Sequence, residues 1–225
     1  MVAVIPEQIY SEGLYTVDQA ARLARVPARV LRRWLDGGGG STATIHRRIP
    51  RSDAGALGFI DLIQLLAIRA IRNKRRLSLQ KIRETIDEAE KLGIQYPFAR
   101  KHQTYLFADD VVLRLPDDRV VQVTGKYKRQ DLIKPVVELY LDDLVFDDKT
   151  GLAAEYTPLR EGDRNIVINP TIKFGAPIVH PSGYAASTLI DAVESEGSIE
   201  AAAEAFGVSD ADVKIALRYD DLLAA

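Results

Sequence analysis

The chain contains no cysteine, one tryptophan, one methionine and three histidines among 225 residues. Without cysteine there is no disulfide framework and no thiolate metal site. His46, His102 and His180 stand far apart and match no nucleophile–base or metal-ligand spacing, so the sequence predicts a protein that is not an enzyme and carries no cofactor or metal. The paired acids Asp117-Asp118, Asp142-Asp143 and Asp147-Asp148 fall in expected turns, where neighbours diverge and loop chemistry accounts for them. No apolar run approaches the roughly 20 residues of a membrane span, and residues 1–13 carry Glu7 and Glu12 without a basic stretch, so neither a membrane span nor a signal peptide is expected. A cytoplasmic protein is the resulting expectation.

A large net charge is also absent, but the value of −2 conceals an asymmetry. Residues 1–95 hold 16 basic against 10 acidic side chains, or +6, and residues 96–225 hold 14 against 22, or −8. Within residues 17–83 the balance is 15 to 4, or +11. A front that attracts polyanions and a back that binds something else follow from this division. With 47% apolar residues, the chain has ample material for real cores.

The basic front is organised around residues 15–35. Thr16 and Gln19 fit a capping box that opens a first helix, and Val17, Ala20, Ala21 and either Leu23 or Ala24 supply its apolar stripe. Ala21 is small enough for a second helix to cross closely over it. Arg25-Val26-Pro27 reads as a turn, with Pro27 in the first turn of the next helix. That helix is expected to bury Val30, Leu31 and Trp34 and to turn Arg29, Arg32 and Arg33 outward, as major-groove docking requires. An arginine-rich surface helix without a nucleic-acid role is the plainer alternative.

Gly37 to Gly40 then end the helix in a mobile link, and no Gly-Lys-Ser/Thr follows to make a phosphate loop. Arg47, Arg48 and Arg51 lie in a short apolar-basic stretch that reads either as a hairpin wing reaching phosphates or as a solvated loop. Residues 59–71 are helical in period, with Leu62, Ile63, Leu66 and Ala70 on one face and Arg69 and Arg72 near the end. Ser78 caps a further helix with the stripe Leu79, Ile82, Ile86 and Leu92, ended by Gly93.

Tyr15-Thr16-Val17, Leu31-Arg32-Arg33-Trp34, the helix led by Phe59 and the run Leu77-Ser78-Leu79-Gln80-Lys81-Ile82-Arg83 together resemble the winged-helix DNA-binding domain of MerR-type regulators, over residues 14–92. Arg25 stands where that family usually has glycine, the Gly-rich link is unusual, and the last helix ends near Gly93 instead of continuing as a long dimerisation helix. The resemblance implies a DNA-facing set of Thr16, Arg29, Arg32, Arg33, Arg47, Arg48 and Arg51.

From residue 96 the pattern changes to period two, with strands expected at 104–108, 111–115 and 120–124, a helix at 135–141, and a hairpin of 144–146 with 152–156, closed by Pro158. Lys126, Lys128 and Arg129 form a basic cluster that reads either as an exposed loop or as a partner contact. Asn169-Pro170, Gly175 and Pro177 punctuate an apolar stretch, and helices follow at 188–194, 199–206 and 211–217, capped in turn by Ser198 and Ser209. Asp210, Asp212, Asp220 and Asp221 are expected on the exposed face, so the second helix-turn-helix repels phosphate and suits a protein partner.

The run Asn169-Pro170, Ile172, Phe174-Gly175, Pro177-Ile178, followed by Ser198-Ile199-Glu200, Ala202-Ala203 and Phe206, is similar to a small bacterial domain associated with VapB-type antitoxins. Residues 179–184 depart from it, since that family usually has a Gly-Thr-Arg turn there. The two resemblances in this order imply an α+β, mainly helical chain. It would comprise a winged helix-turn-helix at 14–93, a small β-rich linker or dimerisation region at 96–160 and a three-helix domain at 161–225. They further imply a homodimeric antitoxin that represses its own operator DNA and neutralises a PIN-like ribonuclease toxin as a hetero-oligomer. The candidate toxin contacts are Lys126, Lys128, Arg129, Asp210 and Asp212. A ligand- or protein-sensing transcription regulator of MerR type without a toxin is the alternative.

Overall fold

The computed structural model describes residues 14–37, 57–75, 77–101, 104–107, 110–114, 120–122 and 143–224. The expected wing with Arg47, Arg48 and Arg51, most of the glycine link, the cluster Lys126, Lys128 and Arg129, and the helix expected at 135–141 lie outside these residues. The fold is α+β, and the chain divides into two compact units that meet between Ala153 and Ala154. Among the described residues no helix is long and apolar enough to cross a membrane.

The first unit opens with α1 (Val17–Leu23) and α2 (Ala28–Asp36). Their packing follows from alanine: Ala20, Ala21 and Ala24 are buried with Leu31 and Trp34, so the two backbones approach closely. Tyr15 bridges Leu57 in an antiparallel pair, through Tyr15 N–H to Leu57 O at 3.0 Å and Leu57 N–H to Tyr15 O at 2.7 Å. Burial raises the pKa of the Tyr15 phenol, which keeps it neutral. α3 (Phe59–Arg75) extends one turn beyond the expected end. It is also buried on all sides across residues 59–68, including Asp61 and Gln64, where a single apolar face was expected. Asp61 accepts the Gly58 N–H at 2.9 Å, holding the helix start.

α4 (Leu79–Lys91) starts at Ser78, whose hydroxyl accepts the Lys81 N–H at 3.2 Å. It buries Ile82, Thr85, Ile86 and Ala89, while Leu92, assigned to the stripe, is exposed because the helix has already ended. β1 (Thr104–Phe107), β2 (Asp110–Arg114) and β3 (Val120–Gln122) form an antiparallel sheet in sequence order. β4 (Leu144–Phe146) turns at Asp147, whose Oδ1 accepts from the Thr150 N–H at 2.7 Å, the Thr150 hydroxyl at 2.9 Å and the Lys149 N–H at 3.1 Å. These bonds, those from Thr150 foremost, hold the Asp147 carboxyl below its ordinary value.

β5 (Ala153–Glu161), β6 (Arg164–Ile168) and β7 (Ile178–His180) follow, and the strand order is β4-β5-β6-β7. Pro158 does not close the section as expected. It lies within β5 at a register shift between Tyr156 and Leu159, where a bulge tolerates a residue without an N–H. The three C-terminal helices are α5 (Ala186–Glu196), α6 (Ile199–Phe206) and α7 (Asp210–Ala224). α5 and α7 are longer than periodicity suggested, α7 because Ile215, Ala216 and Tyr219 keep one face buried. Ala192, Ala202, Ala203 and Val213 form the helical core, and α7 also packs on β6 and β7. The C-terminal unit is therefore three helices on strands, where three helices were expected.

Candidate nucleic-acid interface

The Thr16 hydroxyl accepts the Gln19 N–H at 3.2 Å, and the Gln19 side chain accepts the Thr16 N–H at 2.9 Å. The expected capping box is complete, so the hydroxyl of Thr16 already serves the helix. The chain leaves α1 through Arg25 at φ 49°, a left-handed conformation that favours glycine. This explains physically why a glycine suits that position. Val26 N–H then returns to Ala21 O at 2.9 Å. Pro27 is the N-cap and not the first helical residue: its carbonyl accepts from Val30 N–H at 2.8 Å and Leu31 N–H at 3.0 Å, and α2 begins at Ala28.

α2 buries Leu31, Trp34 and Leu35, and Val30 is only half-buried. The stripe is thus rotated by about one position from the one expected. Residues 31, 34 and 35 fit the i, i+3, i+4 rule, so the signal was present in the sequence. Arg29, Arg32 and Arg33 are all exposed, as expected. They are not equivalent. Arg32 donates through Nη2 to both carboxylate oxygens of Asp18, at 2.8 and 2.9 Å, tying α2 to the first turn of α1. Both side chains remain open to water, at 51% for Arg32 and 70% for Asp18, so the pair is weak and can be exchanged for a phosphate. Arg29 and Arg33 make no ion pair among the described residues. Asp18 is a residue of this face that sequence reasoning passed over, because its partner is a helix away.

At the C-terminal end, Asp210 is half-buried and lies 3.8 Å from Lys214, one turn on. Asp212 was expected on the exposed face and is instead 4% exposed. Its Oδ2 accepts from the Ser209 N–H at 3.0 Å and the Ser209 hydroxyl at 2.7 Å, while that hydroxyl oxygen accepts the Asp212 N–H at 3.2 Å. Its Oδ1 lies 2.8 Å from Arg164 Nε. Asp212 starts α7 and pins it to β6. A partner cannot reach it without moving the helix, which corrects its place among the surface contacts.

No family model matches the chain. Its fold has a solved counterpart: the crystal structure of Rv2018 from Mycobacterium tuberculosis superposes with a TM-score of 0.63 over 92% of this chain and 99% of that one, at 21% identity. At that identity the likeness is one of fold. A relative in sequence is the Mycobacterium tuberculosis protein named "Putative antitoxin VapB45", 26% identical over an alignment of 230 positions that covers 94% of this chain and 94% of that one.

Proposed function

We propose that the chain is the antitoxin of a type II toxin–antitoxin pair, a cytoplasmic, non-enzymatic regulator. Its front unit binds operator DNA as a homodimer, and its C-terminal unit holds a PIN-like ribonuclease. The observation that carries the proposal is the end-to-end likeness to a protein named as an antitoxin, 94% of each chain being matched. The division of charge supports it, with the basic excess on the half that holds the arginine helix and the acidic excess on the other.

Arg29 and Arg33 are the arginines of α2 with no ion pair among the described residues, so they are the first to meet the duplex. Arg32 follows by leaving Asp18. Arg47, Arg48 and Arg51, outside the described residues, add to the basic excess of this part of the sequence and are the further candidate DNA contacts, and Lys126, Lys128, Arg129 and Asp210 remain candidate toxin contacts. The test uses the full chain, the product of the adjoining reading frame and the DNA upstream of both. Arg29→Ala with Arg33→Ala should lower the salt slope of DNA binding by about 1.8, some 0.9 per lost phosphate contact, and leave toxin inhibition intact. Absence of both a stoichiometric nuclease complex and salt-dependent DNA binding would refute the proposal.

A further inference from the structure

Between β6 and β7 the chain makes a turn whose backbone is costly and whose side chains face water. Lys173, Phe174 and Gly175 are consecutive residues at φ 45°, 55° and 73°. Glycine accepts such angles, whereas a bulky aromatic side chain there is strained. Phe174 is 84% exposed and Ile172 44%, so burial in this chain does not compensate the strain.

The turn is held from both ends. Asn169 Oδ1 accepts from the Thr171 N–H at 2.9 Å and the Thr171 hydroxyl at 2.7 Å, and the Asn169 amide donates to Glu155 at 3.2 Å. The Ile172 N–H donates to Asn169 O, the Gly175 N–H to Ile172 O and the Ala176 N–H to Lys173 O, at 3.0, 3.0 and 3.1 Å. Lys173 Nζ sits 5.9 Å over the Tyr184 ring, which meets Phe206 of α6 edge-on at 5.4 Å. A phenyl ring is therefore displayed on a fixed support. Single exposed apolar residues are ordinary. A strained, braced aromatic beside a second exposed apolar side chain is the arrangement expected of a functional contact.

The charge of the unit selects the class of partner. Residues 154–225 carry 5 basic against 12 acidic side chains, a net of −7. That field opposes insertion of Phe174 between nucleic-acid bases and opposes an anionic membrane surface. A protein pocket remains, apolar where it takes the ring and basic around its rim. We propose that the 172–175 turn is the hot spot by which the C-terminal unit grips the ribonuclease toxin, with Phe174 as the anchor. This rests on the antitoxin proposal above. The rigid support leaves little conformational entropy to lose on binding.

Phe174→Gly separates binding from folding, because glycine keeps the left-handed turn and removes the ring. The full chain and its variants are titrated with the purified product of the adjoining reading frame, alongside urea unfolding and sedimentation. Phe174→Gly should bind roughly 30-fold or more weakly, as for loss of a hot-spot aromatic, with folding stability equal to or above wild type. Phe174→Leu should recover part of the affinity. Binding of Phe174→Gly within twofold of wild type would overturn this proposal and leave the antitoxin role standing. Loss of self-association with unchanged toxin affinity would overturn it in favour of a second copy of the chain. Failure of the wild type itself to bind would overturn both.

Discussion

Replacing Asp212 with alanine removes two supports of α7 together. The first is the reciprocal cap with Ser209, in which Oδ2 accepts at 3.0 and 2.7 Å; losing a cap costs about 1 kcal/mol. The second is the ion pair with Arg164, at 2.8 Å between side chains 6% and 19% exposed. Breaking a fully buried pair costs roughly 3–5 kcal/mol. Three features lower that figure here. Arg164 keeps Asp163 as an ion-pair partner, it retains some solvent, and its Nε–H is not aligned on Asp212 Oδ1 as a hydrogen bond. About 1–2 kcal/mol is the reduced estimate, and the sum is about 2–3 kcal/mol. Asp212→Asn preserves an acceptor for the cap and should lose only the ion-pair share, about 1–2 kcal/mol. Urea unfolding monitored by circular dichroism measures both, and a cycle with Arg164→Ala isolates the pair, for which a coupling of about 1 kcal/mol or more is expected. An Asp212→Ala chain within 0.5 kcal/mol of wild type, well inside the usual cost of a lost cap, would refute the account. The same variant bears on function. If Asp212 acts only through α7, any loss of toxin binding must track the loss of folded protein.

Asp18→Asn removes the ion pair that Arg32 must break to reach the duplex, so DNA binding should tighten by up to about fivefold, the roughly 1 kcal/mol ceiling of an exposed pair. Weaker binding would show instead that Asp18 aims Arg32 at the DNA. The Asp147 turn has a pH dependence of known sign. Its folded pKa lies below the ordinary 3.8, so the carboxylate stabilises the turn fully above that value and loses its contribution as pH falls through the folded one. The protection factor of the Thr150 amide, its exchange rate taken against the intrinsic rate at each pH, should fall below about pH 4 and stay level between pH 5 and 7. A fall already at pH 6 would contradict the assignment.

Local chemistry was legible in the chain because its signals are local. Thr16 with Gln19, Ser78, Ser198 and Ser209 all start helices where their hydroxyls reach the backbone three residues on. The small residue at 21 marked the close crossing of the first two helices, and the strands at 104–107, 110–114 and 144–146 followed from alternation. Long-range relations were not legible. Nothing near Asp18 announces Arg32, and Asp212 looks like an exposed acid until β6 brings Arg164 to it. Pro158 reads as a breaker until a bulge admits it.

Composition and periodicity by themselves determined the helix pair at the front, the outward arginines on α2 and the opposite charge of the two halves. These depend on neighbours within a turn or two, or on simple counting. Only the tertiary structure decided which of those arginines is held, which acid is buried and which aromatic is left in water. Each of those outcomes depends on partners distant in sequence, whose proximity is set by burial of the whole core. Phe174 shows the difference: its apolar type predicts burial, but it stands in a left-handed turn braced by Asn169, which Glu155 of β5 holds in place.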